Sequence, residues 1–308
     1  ILHGNLPETF ADACRAVVWP NLERFDCCHT LPPAALRAIR WTKLRSLKIV
    51  VSSASAPSDV QQLLSNLPSL GDAVIESGPP LPRDSPAEPM RAFNANTPAA
   101  KRVSLPRLRS LQLHVADDAL LDAFEFPALD ALMFGSANAV VRHADLHLAR
   151  TPKLRELSVS GACVEFSAAH TPAALSVHTL SLHKVGTSSA EFRNMLRFLP
   201  EVLDIGLDEC ARLDVTFLHG IVRGAPRLTT LHARSCGLAA DSVDAPLLAS
   251  LLGHCPDVEE IHLPHGCLHP EAFEKLAKMY RRTAQTRPCV IWSGGDSLRL
   301  PPPPPGPP

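Results

Sequence analysis

Pro200-Glu201-Val202-Leu203-Asp204-Ile205-Gly206-Leu207 holds the pattern on which the fold turns. It runs proline, one residue, an aliphatic residue, two residues, a second aliphatic residue, one residue, and a third. The pattern returns at Pro226, Leu228, Leu231 and Ala233, and again at Pro256, Val258, Ile261 and Leu263. Working toward the N-terminus, Pro152, Leu154, Leu157 and Val159 match it. So do Pro127, Leu129, Leu132 and Phe134, and Pro106, Leu108, Leu111 and Leu113. Weaker copies are Pro20, Leu22, Phe25 and Cys27, and Pro68, Leu70, Ala73 and Ile75. Leu44, Leu47, Ile49 and Val177, Leu180, Leu182 lack the proline.

The first apolar positions are 22, 44, 70, 108, 129, 154, 177, 202, 228 and 258, most of them 21 to 26 residues apart. Self-similarity at such a period marks a solenoid, in which each unit buries its core only against its neighbours. Within each copy the last two apolar residues alternate with polar ones, as one buried face of a strand requires. The leading proline ends the preceding helix, because it cannot continue the ladder and disfavours helix just before it. Between the strands, Ser58-Asp59 leads into Val60, Leu63, Leu64 and Leu67, and Ser189 leads into Phe192, Met195, Leu196 and Leu199. Leu218, Ile221 and Val222, and then Leu247, Leu248, Leu251 and Leu252, repeat the helical spacing.

This pattern resembles the leucine-rich-repeat family over nearly the whole chain. The resemblance implies an α/β solenoid, a horseshoe of about ten repeats with a parallel concave sheet and outer helices. Cys210 and Cys236 each lie eight residues after the first apolar position of their copy, and Cys267 one residue later in its own. Cysteine at that turn is similar to the cysteine-containing subclass found in F-box proteins. Val185 replaces it in one copy, and the early copies lack the Thr or Ser that usually starts the helix.

Three segments depart from the array. Residues 76–104 are rich in Pro, Ala, Ser and Asn and have no apolar period, so they are expected to be a disordered insertion within the array of residues 1–269. Ser85-Pro86 and Thr97-Pro98 within it are candidate phosphorylation sites. The array is expected to end after Leu263. Residues 270–300 are read as a capping helix and extension, with Phe273, Leu276, Ala277 and Tyr280 on one helical face from Glu271 to Arg282. Residues 301–308 form a polyproline tail of the kind that docks aromatic grooves.

Composition bounds the function classes. With 30 basic and 31 acidic side chains the formal charge is −1, which offers no net field for nucleic acid or an anionic membrane. No apolar run reaches the roughly 18 residues needed to span a bilayer. Nine irregularly spaced cysteines make a poor secreted disulfide framework, and an intracellular setting, cytoplasmic or nuclear, is expected.

Four constellations invite chemistry. His254, Cys255, His262, His265, Cys267 and His269 include zinc-ligand types, but their spacing matches no common zinc module. Cys27, Cys28 and His29 suggest a nucleophile, yet Cys27 occupies a leucine slot. Gly294-Gly295 lacks the lysine of a phosphate loop. No cofactor, metal or catalytic set is expected from these. The fourth is the row of outward strand residues, densest in the last copies: His183, Asp204, Asp208, His232, Arg234, Glu260 and His262. Their expected role is to hold a protein partner on the concave face.

The function so implied is an interaction scaffold. The F-box resemblance narrows it to the substrate-recognition part of a ubiquitin ligase receptor, whose adaptor-binding helical motif would lie before Ile1. The alternative is a free-standing regulatory repeat protein, similar to the GTPase regulators built on this fold. Those carry an asparagine-rich turn where this chain has cysteine or variable residues.

Overall fold

The computed structural model describes residues 19, 21–51, 57–77, 103–114, 124–135, 141–145, 151–165, 175–269, 271–280 and 287–300. The protein is α/β, and most of its strands run parallel. It divides into two compact units, Ile1–Val141 with Ala149–Leu154, and Arg142–Leu148 with Arg155–Pro308.

In the first unit, strands β1 (Arg24–Leu31), β2 (Ser46–Val51), β3 (Asp72–Ser77), β5 (Ser110–His114) and β7 (Ala131–Gly135) lie side by side in that order, each pairing in parallel with the next. Helix α1 (Pro33–Ala38) follows β1, and α2 (Pro57–Ser65) follows β2. Two short strands, β4 (Val103–Ser104) and β6 (Phe124–Glu125), pair in parallel beside this ladder. Arg37 of α1 reaches the largely buried Asp59 of α2 at 2.8 Å, tying the two helices together.

In the second unit, β9 (Glu156–Ser160), β11 (Thr179–His183), β12 (Asp204–Asp208), β13 (Thr230–His232), β14 (Glu260–Leu263) and β15 (Cys289–Ser293) form a parallel ladder. An antiparallel strand, β16 (Asp296–Leu300), closes it. The pair β8 (Val141–Asp145) and β10 (Ala162–Glu165) stands apart. Helices α3 (Ser189–Leu196), α4 (Thr216–Gly224), α5 (Ala245–His254) and α6 (Ala272–Tyr280) pack in sequence, each against the next.

Each of the ten sequence copies coincides with one ladder strand, and every apolar position named for them is buried except the half-buried Leu22. The register repeats through one device. The carbonyl just before each strand accepts two successive N–H groups of the next copy. Arg155 accepts from His178 and Thr179, His178 from Leu203 and Asp204, Leu203 from Thr229 and Thr230, and Thr229 from Glu259 and Glu260, all within 2.7–3.2 Å. A one-residue slip would turn every buried aliphatic toward solvent, so the pattern itself holds the register.

The structure revises several sequence expectations. Glu76 and Ser77 belong to β3, and Val103 and Ser104 to β4, so the proposed 76–104 insertion narrows at both ends. Residues 78–102, with Ser85-Pro86 and Thr97-Pro98, lie outside the described residues, as does the 301–308 tail. Parallel pairing does not stop at Leu263. Ile291 continues the Leu231–Ile261 row, and Trp292 the His232–His262 row. The pattern misses β15 because Pro288 stands in the slot of Val258 and Ser293 in that of Leu263. Ser293 is buried nonetheless, its hydroxyl donating to the Pro264 carbonyl at 2.9 Å.

The helices also differ in detail. The cap of α3 is Ser188 rather than Ser189. Its hydroxyl accepts from Glu191 N–H while the Glu191 carboxylate accepts from Ser188 N–H, a reciprocal capping box. Helix α6 buries Ala272, Leu276 and Tyr280, whereas Phe273 is half-buried and Ala277 exposed.

Candidate functional site

Strand alternation sends Ile205, Leu207, Leu231 and Ile261 into the core of the second unit, and their neighbours to the opposite, open face. The parallel register then lines those neighbours up across strands. One row is Glu156, Thr179, Asp204, Thr230, Glu260 and Val290. The next is Ser158, Ser181, Gly206, His232, His262 and Trp292. Ser160, His183 and Asp208 form a third row.

The structure brings the seven candidate residues into this one region. His183 Nδ1 lies 2.9 Å from Asp208 Oδ2. Asp204 Oδ1 accepts from the Thr229 hydroxyl at 3.1 Å. The His232 ring stacks on His262 with centroids 4.5 Å apart and planes 23° apart, and His262 in turn lies parallel to Trp292 at 5.9 Å. Trp292 completes the stack, and the sequence reading missed it because its strand lacks the leucine pattern. The usable signal was Val290-Ile291-Trp292, a short apolar run after proline.

His262 is the hub. Only 7% of its surface is exposed, and both ring nitrogens are occupied. Nδ1 faces Arg234 Nη2 at 2.9 Å, and Nε2 faces Glu260 Oε2 at 3.1 Å. A guanidinium only donates, so Nδ1 accepts, and in the neutral ring the proton sits on Nε2 and is given to Glu260. Burial, then the neighbouring His262 and Arg234, push the pKa of His232 below its ordinary value, against the opposing pull of Glu260 and Asp204.

His232, Glu260 and His262 each offer a ligand atom within 4.8 Å of the others, as do His183, Asp208 and Glu209. A metal on His262 Nε2 would need the proton moved to Nδ1, where it would confront the Arg234 guanidinium. Metal-bound imidazoles instead give their second N–H to an acceptor. The residues of the first trio therefore fit a metal poorly while Arg234 holds its place.

The histidine–cysteine cluster read from sequence disperses. His254 Nδ1 meets the Ser250 carbonyl at 2.8 Å, Cys255 donates to the Ala225 carbonyl at 3.3 Å, and His269 Nδ1 accepts from Glu271 N–H at 3.3 Å. Burial pushes the thiols of Cys236, Cys255 and Cys289 up to about 12. Cys27 is also raised, chiefly by burial, and its thiol donates to the His29 carbonyl at 3.5 Å. A raised thiol pKa works against a nucleophilic thiolate.

The turn cysteines follow a rule of their own. Cys210 Sγ donates to the Leu182 carbonyl at 3.4 Å and Cys236 Sγ to that of Leu207 at 3.9 Å, equivalent carbonyls of successive copies. Val185 fills the corresponding position one copy earlier and is buried. After β11 and β12 the chain turns through left-handed residues, Lys184 at φ 53° and Glu209 at φ 51°, whose side chains pair at 3.4 Å.

No family model matches the chain, and no curated protein matches it. Among the described residues, no helix is long and apolar enough to cross a membrane.

Proposed function

We propose that the chain is a leucine-rich-repeat scaffold that binds a protein partner on the open face of β11 to β15. The observation that carries this reading is the in-register row Gly206, His232, His262 and Trp292, with carboxylates beside it at Asp204, Asp208 and Glu260. Aromatic and charged groups displayed on a rigid sheet suit recognition, because little side-chain freedom remains to be lost on binding. The test is charge reversal, Asp204→Lys, Asp208→Lys and Glu260→Lys together, with proteins captured from lysate and compared by mass spectrometry. Partners held by the wild type should be lost, with the circular dichroism spectrum unchanged. An identical set on the reversed variant would place binding elsewhere.

Within that reading, cysteine at the turn positions 210 and 236, on which the resemblance to the F-box-like subclass rests, supports the substrate-recognition part of a ubiquitin ligase receptor. Co-purification of a ligase adaptor with the full-length protein tests this narrower reading. Partner capture without any adaptor would favour the free-standing regulatory scaffold.

A further inference from the structure

The second unit carries a slot one side chain wide in its open face. Gly206 is the only residue of its row, from Ser158 to Trp292, without a side chain. Asp204 and Asp208 flank it along β12, Ser181 lies beside it on β11, and His232 on β13. A Cβ at Gly206 would come no nearer than 3.5 Å to any neighbour, the Ser181 hydroxyl being first. Neither a tight turn nor a crowded backbone therefore requires glycine there.

The His232 ring forms one wall. It stacks on His262 at 4.5 Å, close to the ~4.8 Å separation of adjacent strands. His262 covers one face of His232, and on the opposite side the register partner of His232 is Gly206, which has no side chain. Asp204 and Asp208 each use one oxygen within the protein, toward Thr229 and His183. A carboxylate accepts with both oxygens, so each can take a further donor.

From this geometry, and resting on the reading of this face as the partner surface, we infer that Gly206 is the floor of an arginine-reading slot. A partner's guanidinium lies flat against His232 and donates to Asp204, whose charge acts on that ring, while Asp208 adds negative charge at the far end of the slot. A planar, five-donor cation fits a flat wall beside a carboxylate. A lysine ammonium has neither the plane nor the fork. The depressed pKa of His232 keeps its ring neutral near pH 7, so the wall does not repel the cation.

The probes are fluorescently labelled octa-arginine, octa-lysine and octa-citrulline peptides, with anisotropy read on the full chain. Octa-arginine should bind about tenfold or more tighter than octa-lysine, and octa-citrulline should not bind. Gly206→Val fills the slot without changing charge, and a β-branched residue suits a strand. It should abolish the preference for arginine over lysine while keeping the melting temperature. Asp204→Asn with Asp208→Asn leaves the backbone untouched and should weaken octa-arginine likewise. Equal binding of arginine and lysine peptides, or an arginine preference that survives Gly206→Val, would overturn the slot. If captured partners are lost on charge reversal yet kept by Gly206→Val, the face still binds protein and only the slot fails. If charge reversal changes nothing while octa-arginine still shows the preference, the partner reading fails instead.

Discussion

Arg234 Nη2 donates to His262 Nδ1 at 2.9 Å, and this one bond decides what the histidine pair beside it can do. It keeps the ring proton on Nε2, facing Glu260, and so blocks the trio of His232, Glu260 and His262 from ligating a metal. Arg234→Met should release that block. Zinc or cobalt ions are then expected to raise the melting temperature of the variant, with visible absorption for cobalt, and to leave the wild type unmoved. Equal metal binding by both proteins would show that the guanidinium does not control the tautomer.

The stack of His232 on His262 makes stability pH-dependent. Burial, together with His262 and Arg234, lowers the pKa of His232, while Glu260 and Asp204 oppose the shift. The unfolded chain, at the ordinary 6.5, then binds a proton more readily than the folded one. Stability contributed by this ring should be complete above that value. It should fall as pH drops below it, levelling once the folded pKa is passed. His232→Gln should flatten this part of the stability-against-pH curve, measured by urea unfolding between pH 5 and pH 8. An unchanged slope would assign the dependence to another group.

Two glycines predict opposite outcomes for the same substitution. A Cβ on Gly237 would sit 2.1 Å from the Ala211 carbonyl oxygen, a backbone atom that cannot swing away. Gly237→Ala should cost about 2 kcal/mol or more, because backbone must shift to admit it. Gly253, in the last turn of α5, has nothing within 4 Å of an added Cβ. Gly253→Ala should stabilise by up to about 1 kcal/mol. Denaturant midpoints of the two variants check both signs.

The start of α4 depends on Asp214, whose Oδ1 accepts from Thr216 N–H at 2.9 Å, from the Thr216 hydroxyl at 2.6 Å and from the Ser189 hydroxyl at 2.8 Å. The Thr216 hydroxyl first, and then that of Ser189, holds its pKa below the ordinary carboxylate value. The resulting stabilisation is present above about pH 4 and lost as pH falls through the lowered value. Asp214→Ala should cost about 1–2 kcal/mol at pH 7 and much less at pH 2. A loss that is the same at both pH values would mean that the carboxylate charge contributes nothing.

Thiol chemistry should follow burial. Among the described cysteines Cys28 is the exposed one, while Cys27, Cys210, Cys255, Cys267 and Cys289 are buried. Ellman's reagent at pH 8 should modify Cys28 quickly in the native protein and reach the buried thiols only on unfolding. Cys28→Ser should remove most of the fast phase contributed by the described cysteines, and fast labelling mapped to Cys255 or Cys289 by mass spectrometry would contradict the packing.

Much of the ladder was legible in the residues alone. A strand with one buried face must alternate, and a repeat that cannot bury its own core must recur, so Leu–x–Leu at a spacing of about 25 residues located all ten strands. The same reasoning stopped at β15, where Pro288 and Ser293 occupy apolar slots although the strand pairs in register with β14. It also identified the polar residues of the open face, because alternation assigns them once the strands are known.

Which of those residues meet was decided by tertiary structure. Parallel register set His232 against His262 and His262 against Trp292 and left Gly206 opposite His232, while a side-chain hydrogen bond joined Arg234 to His262, each pair 26 to 30 positions apart in the chain. Local pattern fixes which face a side chain takes, since that depends on its own strand. Which partner it faces depends on the length and path of the helices and turns between strands, and only the packed core sets those.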